Sequence, residues 1–178
     1  MSEDLKKLSQ DIWPQERDFI SKPERYKYVR KLIKPDGCVF CKLENAEPSA
    51  ESLLLYKSKN CMVLMNKYPY NNGHLLVIPK KHIGYLDELD KDIYMELSLL
   101  LKDSLSILKK AYETSTGVNL GMNQGDVAGA GIPDHLHWHL IPRWHGDTNF
   151  FPLIAETKVL PETHEQSFDK LYPYFKDL

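Results

Sequence analysis

Three histidines alternate with large apolar residues in the stretch "HLHWHLI". His135, His137 and His139 stand at every second position. In a β-strand successive side chains point to opposite faces, so the three imidazoles would share one face. An imidazole can bind a metal ion, act as a nucleophile or transfer a proton near neutral pH. Three aligned imidazoles have no packing advantage over valine or threonine, so the pattern predicts a face that carries out chemistry.

A single metal ion bound by all three histidines is disfavoured by the geometry of a strand. Ligand nitrogens lie about 2.0 Å from zinc, whereas His135 and His139 would span roughly 13 Å at about 3.3 Å per residue. The histidine face also carries no acidic residue of the kind that a zinc hydrolase uses. At least one histidine is therefore available as a nucleophile or an acid/base group.

A glycine-rich loop, "NQGDVAGAG", directly precedes the histidines. Its segment from Gly129 through Ala130 to Gly131 can turn several backbone N–H groups toward one point and bind an anion. Many such loops are only turns. The proximity of the imidazoles favours a phosphate as the anion.

The three cysteines of the chain form a poor disulfide framework. Cys38 and Cys41, in "CVFC", have the spacing of a zinc knuckle, and ordinary reduced thiols are the alternative. Cys61 alternates inside a predicted strand and is interpreted as a core residue. His145 and His164 are interpreted as surface histidines.

The elements that position these residues form an α+β pattern. Strands are predicted in "LLLYKS", "CMVLMN", "HLLVIP", "GVNLGMN" and the histidine stretch up to Pro142. Apolar residues at three-, four- and seven-residue spacings predict one long amphipathic helix from about Asp90 to Glu113. A short helix is predicted in "PETHEQSFDKLYPYFKDL". Hairpin-linked strands with one long helix predict an antiparallel sheet with one face packed on the helix.

Composition and charge limit the classes of partner that the chain is expected to bind. The chain has 178 residues and 42% hydrophobic composition, which is enough for one substantial core. It carries 23 basic and 25 acidic residues without a block of like charge, which predicts that it binds neither nucleic acid nor a membrane. No apolar run is long enough to span a bilayer, so the expected location is the cytoplasm.

These motifs together resemble the histidine triad (HIT) family, whose motif is His-φ-His-φ-His-φ-φ with φ apolar. "HLHWHLI" matches all seven positions, "LMNKYPYNNGHLLVIPKKH" resembles the family's nucleotide-binding strand pair, and "CVFC" its frequent zinc-binding start. The resemblance covers roughly Cys38 to Lys158. Within the family the chain is most similar to the branch that includes microbial diadenosine tetraphosphate phosphorylases. The implied fold is an antiparallel half-barrel with one long helix, usually dimeric.

The resemblance also implies roles for individual residues. His137 would attack the α-phosphorus of a nucleotide and form a nucleotidyl-histidine intermediate. His139 would hydrogen-bond within the triad, with His74 as its partner. Asn66 would bind the ribose hydroxyls and Asn123 the α-phosphate. The alternatives are a turn residue for Asn66 and a strand-end cap for Asn123.

In zinc-containing members of the family, the remaining metal ligands are a histidine after the "VIPK" strand and the first histidine of the triad. The resemblance therefore implies a zinc site made of Cys38, Cys41, His82 and His135. Four protein ligands close the coordination shell of zinc, so the ion would be structural.

Two positions next to the triad differ from the family pattern or have more than one interpretation. The phosphorylase branch places a serine on phosphate in the glycine-rich loop, and Gly131 stands there in this chain. Trp144, just after the triad strand, would stack on a base or wall the cleft, and plain core packing is the alternative.

The sequence as a whole predicts three regions and one activity. Residues 1–35 would form an extension that packs on the core, residues 36–160 a HIT-like nucleotide-binding catalytic domain, and residues 161–178 a helical tail. The resemblance implies an enzyme, a homodimer with structural zinc, that cleaves a dinucleoside polyphosphate such as diadenosine tetraphosphate, or a related nucleotide, with water or phosphate as acceptor. A nucleotide-binding sensor or scaffold without turnover is the alternative.

Overall fold

The computed structural model describes residues 37–147 and 160–178. The predicted extension over residues 1–35 and the chain from 148 to 159 lie outside the described residues. Within the described ranges, no helix is long and apolar enough to cross a membrane.

In the described part of the chain, one antiparallel sheet of five strands forms the centre of the fold. The strands are β1 (Leu54–Lys57), β2 (Cys61–Met65), β3 (Leu75–Pro79), β4 (Gly117–Gly121) and β5 (Trp138–Arg143), and the helices are α1 (Lys91–Ala111) and α2 (His164–Phe175). The strand order is β1-β2-β3-β5-β4, and every neighbouring pair is antiparallel. The predicted α+β class with an antiparallel sheet and one long helix is confirmed.

Both faces of the central strands are buried, which explains why β2 and β3 are continuously apolar. The face that packs on the two helices contributes Leu55, Cys61, Val63, Met65, Leu75, Val77 and Leu140. The opposite face packs on the segment that carries the paired cysteines, and its core residues are Phe40, Leu54, Met62, Leu64, Leu76 and Ile78. The sheet therefore separates a helix layer from a layer that contains the cysteine segment.

Helix α1 has the predicted apolar stripe. Its buried residues are Leu97, Leu100, Leu101, Ser104, Ile107 and Leu108. The helix begins after Asp90 and ends at Ala111, two residues before the predicted end. The carboxylate of Glu96 ties it to the β1–β2 turn, because it accepts hydrogen bonds from Ser58 Oγ at 2.5 Å and from Asn60 N at 2.8 Å.

Helix α2 confirms the short helix predicted in the tail. A capping box starts it: Thr163 Oγ1 accepts from Gln166 N, and the Gln166 side chain accepts from Thr163 N. Leu171 and Phe175 anchor it in the helix-side core, where both are fully buried.

The histidine stretch differs from the prediction at its beginning. β5 starts at Trp138, so His135 and His137 precede the strand. Pro133 introduces a turn there, and Leu136 N donates to Ile83 O at 2.6 Å, outside the sheet. The prediction was wrong here because alternation alone does not reveal where a strand leaves its neighbour.

Candidate active site and metal site

Strand β5 places the last histidine of the triad on the face opposite the helices. His139 pairs with Leu76 of β3, whose side chain belongs to the cluster around the cysteine segment. Leu140 and Trp138 lie on the helix side. The two-residue period therefore separates histidine and apolar faces within β5, as the sequence predicted.

The side chain of His137 is 6% exposed and is held in one tautomer. Its Nδ1 lies 2.9 Å from the carbonyl oxygen of His135, which can only accept a hydrogen bond, so Nδ1 carries the proton. Nε2 then keeps its lone pair. Burial lowers the pKa of His137, and this effect outweighs the hydrogen bond to His135, so the neutral ring is favoured.

His74 and His139 form a second pair of histidines, and hydrogen bonds determine which ring nitrogen of each carries the proton. The N–H of Tyr70 donates to His74 Nδ1 at 3.1 Å, so His74 carries its proton on Nε2. His74 Nε2 lies 2.9 Å from His139 Nδ1 and donates to it. A neutral His139 consequently carries its own proton on Nε2. The rings of His139 and His137 are 5.0 Å apart between centroids, so this N–H group lies beside the ring of His137.

Two aromatic rings that sequence reasoning missed flank the histidines. Phe40 lies 5.3 Å from the ring of His135 and 5.4 Å from that of His137, between centroids. Tyr70 lies 5.0 Å from the ring of His74. Phe40 is one of the two apolar residues inside "CVFC", and the spacing of the cysteines gives no sign that a ring between them contacts the triad. Because Phe40 is buried, it links the cysteine segment to the triad through packing.

The four residues of the implied metal site come together. One ligand atom from each of Cys38, Cys41, His82 and His135 lies within 4.8 Å of all the others. His135 Nδ1 is 3.3 Å from Cys38 Sγ and 3.6 Å from Cys41 Sγ, and His82 Nδ1 is 3.3 Å from Cys41 Sγ. Thiolate and imidazole ligands of one tetrahedral zinc are separated by about 3.5 Å, so the cluster fits the ion.

The tautomer of His135 also suits a metal ligand. Its Nε2 donates to the carbonyl oxygen of Pro79 at 2.8 Å, which leaves the lone pair on Nδ1 and directs it at the cysteines. Burial lowers the pKa of His135, so the ring is neutral, as metal binding requires.

The glycine-rich loop is less clearly an anion site. The N–H of Gly129 donates to Asp126 O and that of Ala130 to Gly125 O, so both are engaged within the loop. Asn123 is exposed, and its Nδ2 lies 3.6 Å from the position of a Cβ on Gly129. The phosphate roles of Asn123 and of the segment from Gly129 to Gly131 remain predictions.

Asn66 lies at the end of β2, where its side chain forms a local turn. Its Oδ1 accepts from Tyr68 N at 2.9 Å, and its amide nitrogen lies 3.4 Å from His74 Nδ1.

His164 was predicted as a surface histidine, and this was wrong: it is half-buried, and its Nε2 donates to Asn66 O at 3.2 Å. A cavity of about 230 Å³ behind this contact is lined by Asn66, His74 and the start of α2. The ribose-binding role of Asn66 remains a prediction.

Trp144 lies against the helix side of the sheet. Its ring contacts Tyr112 edge to face at 5.7 Å between centroids, and its Nε1 donates to Thr114 Oγ1 at 3.1 Å. These contacts favour the packing alternative, and base stacking by Trp144 remains a prediction. His145 is exposed, as predicted.

A family profile for the HIT domain matches residues 47–146. This range contains all five strands, His74 and the three aligned histidines. The chain belongs to the HIT family. The resemblance found in the sequence is therefore confirmed, and the paired cysteines lie just before the matched range.

Several curated relatives share this HIT region. An AP-4-A phosphorylase from Mycobacterium tuberculosis is 36% identical over 112 residues, which are 63% of this chain and 57% of the relative. An adenylylsulfatase from Arabidopsis thaliana is 33% identical over 115 residues, 63% of this chain and 55% of the relative. The alignments thus span little more than half the length of these two relatives.

Solved HIT structures share the fold. A histidine triad nucleotide-binding protein from Sulfolobus tokodaii is 32% identical, covers 79% of this chain and 90% of its own, and gives a TM-score of 0.61. A Zn-bound histidine triad family protein from Mycobacterium smegmatis gives a TM-score of 0.63 at 22% identity, with 79% of this chain and 94% of that chain covered. The second likeness concerns the fold alone.

Proposed function

We propose that the chain is a nucleotidyl-histidine enzyme that cleaves a dinucleoside polyphosphate, or a related nucleotide, at the α-phosphate. The observation that carries the proposal is the hydrogen bond from His137 Nδ1 to His135 O, which leaves the Nε2 lone pair for attack. Burial keeps that ring neutral, so it is nucleophilic without a separate base.

The first step forms the bond between His137 Nε2 and the α-phosphorus and breaks the bond from phosphorus to the bridging oxygen. The leaving phosphate takes the electron pair of that bond and receives a hydrogen bond or a proton from His139 Nε2. His74 supports this role because it donates to the other nitrogen of His139 at 2.9 Å. In the second step an acceptor attacks the phosphorus and releases the imidazole, so one displacement becomes two easier ones.

For the substrate we propose diadenosine tetraphosphate. The name of the Mycobacterium tuberculosis relative, AP-4-A phosphorylase, supports this class at 36% identity. The acceptor is water or phosphate. Gly131 stands where the phosphorylase branch has a phosphate-binding serine, so phosphorolysis would depend on backbone donors of the loop.

The four-residue cluster would hold a structural zinc. The two cysteines and two histidines would supply all four ligands of a tetrahedral zinc, which would leave no position for substrate. When bound, the ion would fix the cysteine segment and His135. The carbonyl of His135 in turn holds the nucleophile.

Product analysis tests the activity. Purified protein is incubated with diadenosine tetraphosphate in the presence and absence of phosphate, and nucleotides are separated by chromatography. Attack by water at the α-phosphate yields AMP and ATP, whereas attack by phosphate yields ADP and ATP. Binding without either product set would reject turnover and favour a sensor or scaffold.

We also propose that the protein is a homodimer. Strand β4 is an edge strand of the sheet and carries Leu120, which is 46% exposed. A second copy would cover such an edge. Sedimentation equilibrium should give twice the chain mass, and a monomer at micromolar concentration would reject the dimer.

A further inference from the structure

The loop between β2 and β3 is fastened to the end of β5 by a buried hydrogen-bond network. Asn71 is 5% exposed, and its side-chain nitrogen donates to Pro142 O at 2.9 Å and to Asp147 Oδ2 at 2.8 Å. Both N–H groups of the amide are thereby used. The residues joined are 71 and 76 positions apart in the chain, so the network closes the loop onto the strand that carries the triad.

Asp147 is the centre of this network. Its Oδ2 also accepts from Arg143 Nε at 2.7 Å and from Trp144 N at 3.2 Å. The Asp147 side chain is only 11% exposed, although that of Arg143 is 43% exposed, so the carboxylate is largely shielded from water and its three donors hold it in one orientation.

The loop fixed in this way determines which ring nitrogens of His74 and His139 carry a proton. Asn71 O accepts from His74 N at 3.2 Å, and the preceding residue, Tyr70, donates its N–H to His74 Nδ1. This last bond determines that His74 carries its proton on Nε2, and hence that His139 does so too. A loop that moved away from β5 would remove the shorter donor contact to His74 Nδ1 and leave the Asn66 amide nitrogen, 3.4 Å away, as the other one.

We propose that Asn71 and Asp147 are positioning residues that set the tautomer and orientation of His139 through the loop from Tyr70 to His74. The inference rests on the proposed function for its catalytic consequence, the donation from His139 to the leaving oxygen. Its structural consequence, the tautomers of His74 and His139, can be measured without any turnover.

The first test is spectroscopic. Long-range proton–nitrogen correlation spectra of the imidazoles should show His74 and His139 as Nε2–H tautomers in the wild type. Asn71→Ala and Asp147→Ala should give mixed tautomers at both rings. Asp147→Asn should stay close to the wild type, because its amide oxygen can still accept from Asn71. Asn119→Ala is the matched control, since it removes another hydrogen bond of Arg143, 2.8 Å long, but none of the loop.

The second test uses two AMP esters that differ in the leaving group. The 4-nitrophenyl ester releases a stable anion, whereas the phenyl ester needs a donor for its leaving oxygen. Asn71→Ala and Asp147→Ala should lower kcat/KM, which reports the step that releases the leaving group, at least about 10-fold more for the phenyl ester than for the 4-nitrophenyl ester. Asn119→Ala and Asp147→Asn should keep the wild-type ratio.

The two tests separate the two proposals. Wild-type protein that cleaves neither diadenosine tetraphosphate nor either ester would reject the proposed function, while the spectra would still decide on the positioning. Unchanged tautomers in folded Asp147→Ala and Asn71→Ala would overturn the positioning role. Equal losses on both esters would overturn it as well, because a merely structural defect does not depend on the leaving group. Should Asn71→Ala fail to fold, the contrast between Asp147→Ala and Asp147→Asn carries the same comparison.

Discussion

At the scale of single residues, the site depends on where each imidazole keeps its proton. His137 donates from Nδ1 to a backbone carbonyl, and His139 accepts at Nδ1 from His74. The two neighbouring rings are therefore opposite in character at Nε2: one presents a lone pair and the other a proton. A nucleophile beside a donor is the pairing that displacement at phosphorus requires.

Replacing His137, the proposed nucleophile, tests this assignment. In His137→Asn the side-chain amide can still donate to His135 O, but no atom can form the phosphorus–nitrogen bond. We expect turnover of diadenosine tetraphosphate to fall by at least about 10³, with the melting temperature nearly unchanged. His145→Asn, at an exposed position, is the control. Turnover near the wild-type rate in His137→Asn would exclude the covalent mechanism.

At the scale of elements, polar side chains join parts of the fold that the apolar pattern leaves independent. Glu96 fastens α1 to the β1–β2 turn, and a Tyr112–Glu162 hydrogen bond of 2.9 Å fastens the end of α1 to the start of α2. The first bond joins the side of α1 to a turn between two strands, and the second joins the ends of two helices. Substitutions there should change stability rather than activity.

Glu96 offers a prediction with a defined pH dependence. Burial raises its pKa, but hydrogen bonds from Ser58 and Asn60 more than offset this, so the pKa lies below the ordinary value. Its stabilisation is then complete above the ordinary pKa and is lost as pH falls through the lowered one. Thermal unfolding between pH 7 and pH 3 should show Glu96→Gln less stable at neutral pH, with a difference that shrinks toward acid. A gap that stays constant with pH would contradict the role of the charge.

Gly73 tests how closely α1 approaches the loop before His74. Its φ is +67°, and a Cβ at this position would lie 2.4 Å from the ring of Tyr112. Gly73→Ala should therefore lower the unfolding free energy by more than about 1 kcal/mol in denaturant titrations. The control is Gly117→Ala, because among the described residues no atom beyond its chain neighbours lies within 4 Å of its Cβ position. Equal stability of the two variants would show that the loop can move aside.

Much of this scaffold was predictable from the sequence, because the period of the apolar residues reports on burial and the turn residues mark where strands and helices end. The five strands, α1 and α2 appear close to where the hydrophobic period placed them, except at the start of β5. The Cys38–Cys41–His82–His135 cluster is the ligand set that the resemblance to the HIT family implied. Contacts that depend on the tertiary path were not predictable. The bond between Asn71 and Asp147 joins residues 76 positions apart, and no periodicity marks either one. The same holds for the contact of His164 with Asn66, which are 98 positions apart.

At the scale of the whole molecule, the candidate metal site connects the cysteine segment with the triad. Cys41→Ser should leave less than one zinc per chain in metal analysis and lower the melting temperature, with loss of activity as a consequence. Cys61→Ala is the control. Because Cys61 lies in the helix-side core, away from the metal site, this variant should retain zinc. Activity lost before stability on chelation would instead indicate a catalytic ion. A folded wild type without zinc would leave two reduced thiols in "CVFC".

The contact between Cys38 and His135 spans 97 positions of the chain. A metal held there would act as a reversible crosslink that closes a very long loop, where the entropy removed from the unfolded chain is large. Because the link is reversible, its contribution would follow mass action, growing by about 1.4 kcal/mol for each tenfold rise in free zinc above the dissociation constant. The folded fraction of the protein would then depend on the zinc available around it.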